Sequence, residues 1–356
     1  MKTARLAPIA AALLMAASTP ALAFKVDIGG QAHLSLDSVN NTGTSTSDST
    51  YLASNSSRFY IDGDVDLSEG VKGLFHYEAG VDLTGRGTND GNGPGVGNGL
   101  FTTARDSYIG ISGGFGTLLA GRLPVENQWL YDYNLFADQV GDLGNMWGAG
   151  SNAPGRADAV HYIFPHFVPG LTLSASYKPE DGTKNGDGII ARGVYKGGPI
   201  KIALSYANLS KGLTANGLKD NAIFSATAVY DFGMGDVGVG YQSSDHHTGA
   251  ANNDGTDSIT AGASIKLGPG KLKAQYTNLN VDGGSNNDAS MMAIGYDYAW
   301  SKNGTAYIAW SQTTNDPAAA YTTNNWGHGQ AVTPVAGKDP NAISIGIVYK
   351  FRASVY

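Results

Sequence analysis

Apolar and polar residues alternate singly along most of this chain. Phe24, Val26, Ile28, Ala32, Leu34 and Leu36 fall on one side of the first segment, and Lys25, Asp27, Gln31, His33, Ser35 and Asp37 fall on the other. Phe59, Ile61, Val65 and Leu67 then oppose Arg58, Tyr60, Asp62, Asp64 and Asp66. Val71, Phe75, Tyr77, Ala79, Val81 and Leu83 oppose Lys72, His76, Glu78 and Asp82. The pattern recurs to the end, where Ile343, Ile345, Ile347, Tyr349 and Phe351 oppose Ser344, Gly346 and Lys350. A period of two marks β-strands with one apolar face, and almost no stretch has helical period. About 16 segments follow, an even number as closure of an antiparallel bacterial barrel requires.

The connections alternate as well. Short turns fall at Ser68-Glu69-Gly70, Gly113-Gly114, Val168-Pro169-Gly170, Gly197-Gly198-Pro199, Gly233-Met234-Gly235, Gly268-Pro269-Gly270 and Lys302-Asn303-Gly304. Long polar loops fall near 40–50, 85–99, 179–187, 208–220, 243–257, 281–288 and 314–341, and are expected at the opposite end. One interruption differs from the rest. After the paired segments of RDSYIGISGGFGTLLAGR, alternation stops near Leu123 and resumes at Ala157. Loops of this length inside a compact domain are usually functional. This one is expected to fold into the middle of a barrel and narrow it.

Strands with one apolar face build either a soluble sandwich or a membrane barrel, and composition decides between them. The polar faces hold many charges, which a packed sandwich core would leave unpaired. Tyr77, Tyr177, Tyr195, Tyr206, Tyr230, Trp300, Tyr349 and Phe351 recur at strand ends, as an interfacial girdle needs. Residues 1–23 read as a secretory signal peptide: Lys2 and Arg5, an Ala- and Leu-rich middle, then Ala21-Leu22-Ala23 before Phe24. The expected organisation is thus a cleaved segment 1–23 and a barrel domain 24–356. The fold class is all-β, a transmembrane antiparallel β-barrel of about 16 strands with a long inward-folded loop at about 123–156. Absence of cysteine excludes disulfides, thiolate metal sites and thiol nucleophiles, and a net charge of −7 argues against nucleic acid as a partner.

RDSYIGISGGFGTLLAGR (105–122), LYDYNLFADQVGDLGN (130–145), GRADAVHYIFPHF (155–167) and GIVYKF (346–351) together resemble the trimeric general-diffusion porins of the Gram-negative outer membrane. The resemblance spans residues 24–356 and is most specific in its middle block. It implies outer-membrane localisation, a homotrimer with the loop at 84–101 reaching a neighbouring subunit, and lipid, small hydrophilic solutes and ions as partners. It also implies a pore pinched between arginines on the wall and carboxylates on the loop. Matching residue by residue, Arg58, Arg105 and Arg156 fall at wall positions, with Arg122 a further candidate, and Asp138 and Asp142 fall at the loop carboxylates. The family often has a lysine on the first strand. Gln31 stands here instead and weakens the positive side. The family also ends on an aromatic residue, whereas RASVY follows Phe351. Either the last strand continues to Tyr356 or a short tail projects.

Opposed charges across a narrow passage make a transverse field that passes small polar solutes and penalises apolar ones. A channel needs no cofactor and no catalytic residue, and the motifs agree. NDGNG (89–93) and NNDGTD (252–257) lack the final Glu of a calcium loop, and the side chains of His246 and His247 project apart. His161, His166 and His328 stand alone, with no nucleophile elbow or zinc motif nearby. A substrate-selective channel for sugars or anions is the alternative function. For sugars it would use Trp129, Tyr131, Tyr133 and Trp147 as an inward aromatic ladder; for phosphate it would need inward lysine rows, which the sequence pattern does not display.

Overall fold

The computed structural model describes residues 24–40, 48–84, 101–126, 128–151, 155–180, 186–210, 221–245, 255–329 and 333–355. The signal segment, the loop at 85–100, His246, His247, NDGNG, the first residues of NNDGTD and Tyr356 lie outside them. The described residues form seventeen strand segments. They are β1 (Phe24–Asn40), β2 (Ser49–Ser54), β3 (Arg58–Ser68), β4 (Val71–Val81), β5 (Phe101–Gly113), β6 (Gly116–Leu123), β7 (Ala157–Ile163), β8 (Leu171–Lys178) and β9 (Gly188–Gly197). There follow β10 (Ile200–Leu209), β11 (Asn221–Asp231), β12 (Gly235–Asp245), β13 (Thr256–Leu267), β14 (Gly270–Val281), β15 (Ala289–Ala299), β16 (Gly304–Asn315) and β17 (Asn341–Val355).

Each strand pairs antiparallel with its neighbour. β2 and β3 both pair with β1 and are halves of one barrel strand, broken at Asn55–Ser57 where Ser56 has φ 44°. The wall is therefore a 16-strand antiparallel barrel. β17 closes it against β1, from Val26 opposite Val355 to Asn40 opposite Asn341. The last strand thus runs past Phe351 as far as Val355. Arg352 and Ser354 on this extension both donate hydrogen bonds to Asp27 at 2.5 Å.

Side chains partition as alternation dictates, but inside out relative to a soluble protein. Ile259, Val239, Ile345, Tyr77 and their equivalents point outward and are exposed, while Asp37, Ser311, Thr277 and Gln242 point inward and are buried. The girdle aromatics, Tyr177, Tyr230, Trp300 and Tyr349 among them, also lie on the outer surface. An apolar exterior on a closed wall is what a bilayer solvates, because closure leaves no backbone group unpaired in hydrocarbon.

The barrel is filled from the β6–β7 connection. This segment contains 3-10 turns at Gln128–Tyr131 and Leu143–Asn145 and a short helix, Trp147–Ser151. Trp129, Leu130, Leu143, Met146 and Trp147 pack against Ile190, Leu209, Ile223, Leu279 and Met291 of the wall. A second cluster joins Phe136 and Val140 to Val39, Ala293, Ala309 and Tyr307. The β16–β17 connection also turns inward, against the expectation of a polar loop at the barrel end. Thr323, Asn324 and His328 are buried, and Thr323 O accepts from Gly141 N at 2.8 Å. Asn145 Oδ1 accepts from the backbone N–H of Asn325 and Trp326, both at 2.9 Å, which stitches the two inward loops together.

The outward apolar face yields a quantitative expectation. Ile294 is exposed at the middle of β15, so a bilayer centred on the strand would have its midplane there. Ile294→Arg should destabilise the barrel in lipid vesicles by about 2–4 kcal/mol, measured by denaturant titration. A change near zero would mean that this face does not meet hydrocarbon.

Candidate functional site

The inward β6–β7 loop is pinned to the wall at several points. Arg192 on β9 holds the Asp132 carboxylate with two donors at 2.7 and 2.6 Å, and Lys201 on β10 approaches it at 3.1 Å. Trp129 Nε1 donates to Gln242 Oε1 at 2.7 Å, and Tyr133 OH donates to Asp236 at 2.8 Å. Lys273 Nζ donates to Leu135 O and Gln139 Oε1, each at 2.8 Å, and pairs with Asp297 at 3.0 Å. The aromatic ladder expected of a sugar channel does not form. Trp129, Trp147 and Tyr133 are buried in these contacts, because the loop needs its own apolar core to stay seated, and only Tyr131 is exposed.

Asp142 belongs to this anchoring. It is fully buried and caps the Leu143–Asn145 turn. Its Oδ1 accepts from Gly144 N at 2.7 Å and Asn134 Nδ2 at 2.8 Å, and its Oδ2 accepts from Asp138 N at 2.7 Å. Those donors favour the carboxylate, but burial and the neighbouring Asp138 outweigh them and push its pKa up to about 7. Asp138 sits differently. Its positive φ of 61° turns the side chain toward the wall, where Arg58 Nη1 lies 3.8 Å from its Oδ2.

Between loop and wall lies an open cavity of about 580 Å³ lined by charge. Arg58, Arg105 and Arg156 face it from the wall and Asp138 from the loop. Glu78 and Asp106, carboxylates that the sequence pattern did not single out, stand among them. Arg105 Nε donates to Glu78 at 2.5 Å and Arg156 Nε to Asp106 at 2.5 Å. Glu78 was visible on the polar face of its strand. Asp106 was not, since strict alternation sends it outward when Arg105 points in. A β-bulge resolves this: Tyr77 faces Ser107 and Ala79 faces Ala104, so three steps on β5 oppose two on β4. The extra residue lets Arg105 and Asp106 both line the cavity. Two adjacent charges in an alternating segment were the available signal.

Lys273 and Lys350 complete the positive side. Gln31, where the family pattern expects a lysine, faces Lys350 across the barrel seam and Arg58 across β3. The neighbouring strand therefore supplies an ammonium group beside the position that Gln31 leaves neutral. Arg122 and Asp142 are not among the cavity-lining residues. Arg122 Nε donates to Ala104 O at 3.2 Å, and Asp142 lies behind Asp138.

A family model described as "Gram-negative porin" matches residues 10–355. This chain belongs to the Gram-negative porins. The porin is 24% identical over 329 residues to the major outer membrane protein P.IB of Neisseria meningitidis, covering 87% of this chain and 92% of that one. It is 28% identical over 194 residues to the P.IB protein of Neisseria gonorrhoeae, covering 52% of this chain and 51% of that one, so this alignment spans about half the length of that relative. In fold it matches the anion-selective porin of Comamonas acidovorans with a TM-score of 0.77, 24% identity and coverage of 92% and 100%. Family and fold place the porin in the outer membrane.

Asp142 gives a test of anchoring apart from conduction. Asp142→Asn keeps one acceptor oxygen and sets an NH₂ group against an N–H donor, so the barrel should lose about 1–3 kcal/mol of stability. The pH dependence has a definite sign. A carboxyl whose folded pKa lies above its ordinary value contributes stability that is full below about pH 4 and is lost as pH rises through about 7. Melting temperature should therefore rise when the wild-type porin is taken from pH 8 to pH 5, and Asp142→Asn should flatten that rise.

Proposed function

We propose that this porin is a general-diffusion channel in which small hydrophilic solutes and ions move down their own gradients. The observation that supports this most directly is the open cavity bounded by Arg58, Arg105 and Arg156 on the wall and by Asp138 on the loop. Positive and negative groups face each other across it, so the passage has a transverse field. Polar solutes and water align with that field. An apolar solute displaces aligned water without compensation. Arginine suits such a ring because its guanidinium stays ionised among other cations. With Tyr131 the one exposed aromatic of the proposed ladder, little supports a sugar-selective reading. No covalent step, metal or organic cofactor is needed for conduction.

The functional unit is proposed to be a homotrimer. A structural neighbour, OmpT of Vibrio cholerae, is known in a trimer form. Residues 1–23 are proposed to be removed on export, so N-terminal sequencing of protein from outer membranes should begin at Phe24.

Recording in planar bilayers tests the channel. Current should be ohmic and appear in triplets. Asp138→Asn should shift the anion-to-cation permeability ratio roughly two- to fourfold toward anions, and Arg58→Gln or Arg105→Gln should shift it comparably toward cations. Unchanged reversal potentials in all three variants would show that these charges do not face the conducting path.

A further inference from the structure

A second cavity, of about 370 Å³, lies beyond the charged ring, between the inward loop and the short-turn rim at Gly170. Gln128 and Tyr131 line both cavities, so a solute leaving the ring meets this recess next. Its wall is basic and hydroxylated: His161 on β7, Thr172 and Ser174 on β8, Arg192 and Lys196 on β9, and Lys201 on β10. Among the described residues, Asp132 is its one lining carboxylate.

The charges there do not balance. Asp132 is committed to Arg192 through two hydrogen bonds and to Lys201 at 3.1 Å. One negative charge thus faces three positive ones. Lys196 has no ion-pair partner among the described residues. It also sits directly opposite Lys201 in the β9–β10 register, with both side chains on the inward face. Like charges directly across a strand pair are destabilising. An anion seated between them would remove that penalty and gain two ammonium contacts, with the Thr172 and Ser174 hydroxyls available to donate.

We propose that this recess is a binding station for small oxyanions of charge −2, distinct from the ring that sets ion selectivity. Its excess of two positive charges matches a dianion, and its volume admits phosphate or a short dicarboxylate. The proposal rests on the channel reading for its route of access but not for binding itself. Lys196 is the specificity-determining residue, since Arg192 and Lys201 are already engaged in holding the loop.

Calorimetric titration of the folded, detergent-solubilised porin with inorganic phosphate at pH 8 is the direct test. Saturable binding is expected, weakened roughly five- to tenfold by Lys196→Gln, about the effect of one lost charge-assisted contact. Arg105→Gln, which alters the ring, should bind within about twofold of wild type. A melting scan checks that Lys196→Gln remains folded, and Thr172→Val is an independent variant that should also weaken binding. Absence of saturable heat overturns the station, as does a site lost in Arg105→Gln and kept in Lys196→Gln. Potassium chloride current separates the two readings. Ohmic current without phosphate binding removes the station and leaves the channel. Phosphate binding by a protein that passes no current removes the channel and leaves the station.

Discussion

Every backbone N–H and C=O at membrane depth must find its partner within the protein, and this constraint shapes the porin more than any side chain does. It makes the chain join its first strand to its last, with β17 running beside β1 from Asn341 to Val355. Where the wall is broken at Asn55–Ser57, the bonds are replaced rather than lost. Asn55 N and Ser57 Oγ donate to His33 O at 2.9 and 3.0 Å, His33 N donates to Ser57 Oγ at 2.9 Å, and Val81 N donates to Ser57 O at 2.7 Å. Asn55 Oδ1 accepts from Gly329 N at 3.0 Å, so the second inward loop is tied to the same break. Arg58 begins the strand directly after it. The local irregularity that positions this arginine is thus held by the bonding requirement of the wall.

The apolar face of the wall points outward, so the interior must be assembled from polar strands and an imported core. The β6–β7 loop brings that core as Trp129, Phe136, Met146 and Trp147. The wall makes room for it with small residues. A Cβ at Gly238 would lie 2.6 Å from the Tyr133 ring, and one at Gly240 would lie 2.8 Å from Trp147. Gly144 and Gly148 serve the loop itself, since a Cβ at either would meet the Trp326 ring of the second loop, at 2.2 and 2.6 Å. Much of the abundant glycine therefore reflects close approach of rings to backbone, not flexible turns alone.

Charge is distributed in the same economical way. Asp132 and Asp142 hold the loop, and Asp138, Glu78 and Asp106 face the cavity. Each ring arginine lies within 4.0 Å of a carboxylate. These contacts fix the guanidinium groups in place while both signs of charge face the open cavity. The basic recess beyond the ring differs in having cations with too few carboxylates, and that imbalance makes it a place to hold an anion rather than only to pass one.

Alternation, turn chemistry and the interruption after Leu123 were enough to read the strands, their faces and the closed wall, because a period of two is a local property of the backbone. Arg58, Arg105, Arg156 and Asp138, which line the cavity, were implied by the family resemblance, and Asp138 and Arg156 lie in the stretch where alternation stops. Other features were beyond it because they depend on what lies opposite. Asp106 turns inward only through a bulge set by the β4–β5 register. Asp142 and three of four loop aromatics are buried because a seated loop needs an interior of its own. Residues 322–329 fold inward because Asn145 and Gly141 bond them there, and Lys350 stands beside Gln31 only once β17 meets β1. Strand identity is written in neighbours along the chain, whereas depth, pairing and burial are decided by neighbours across the barrel.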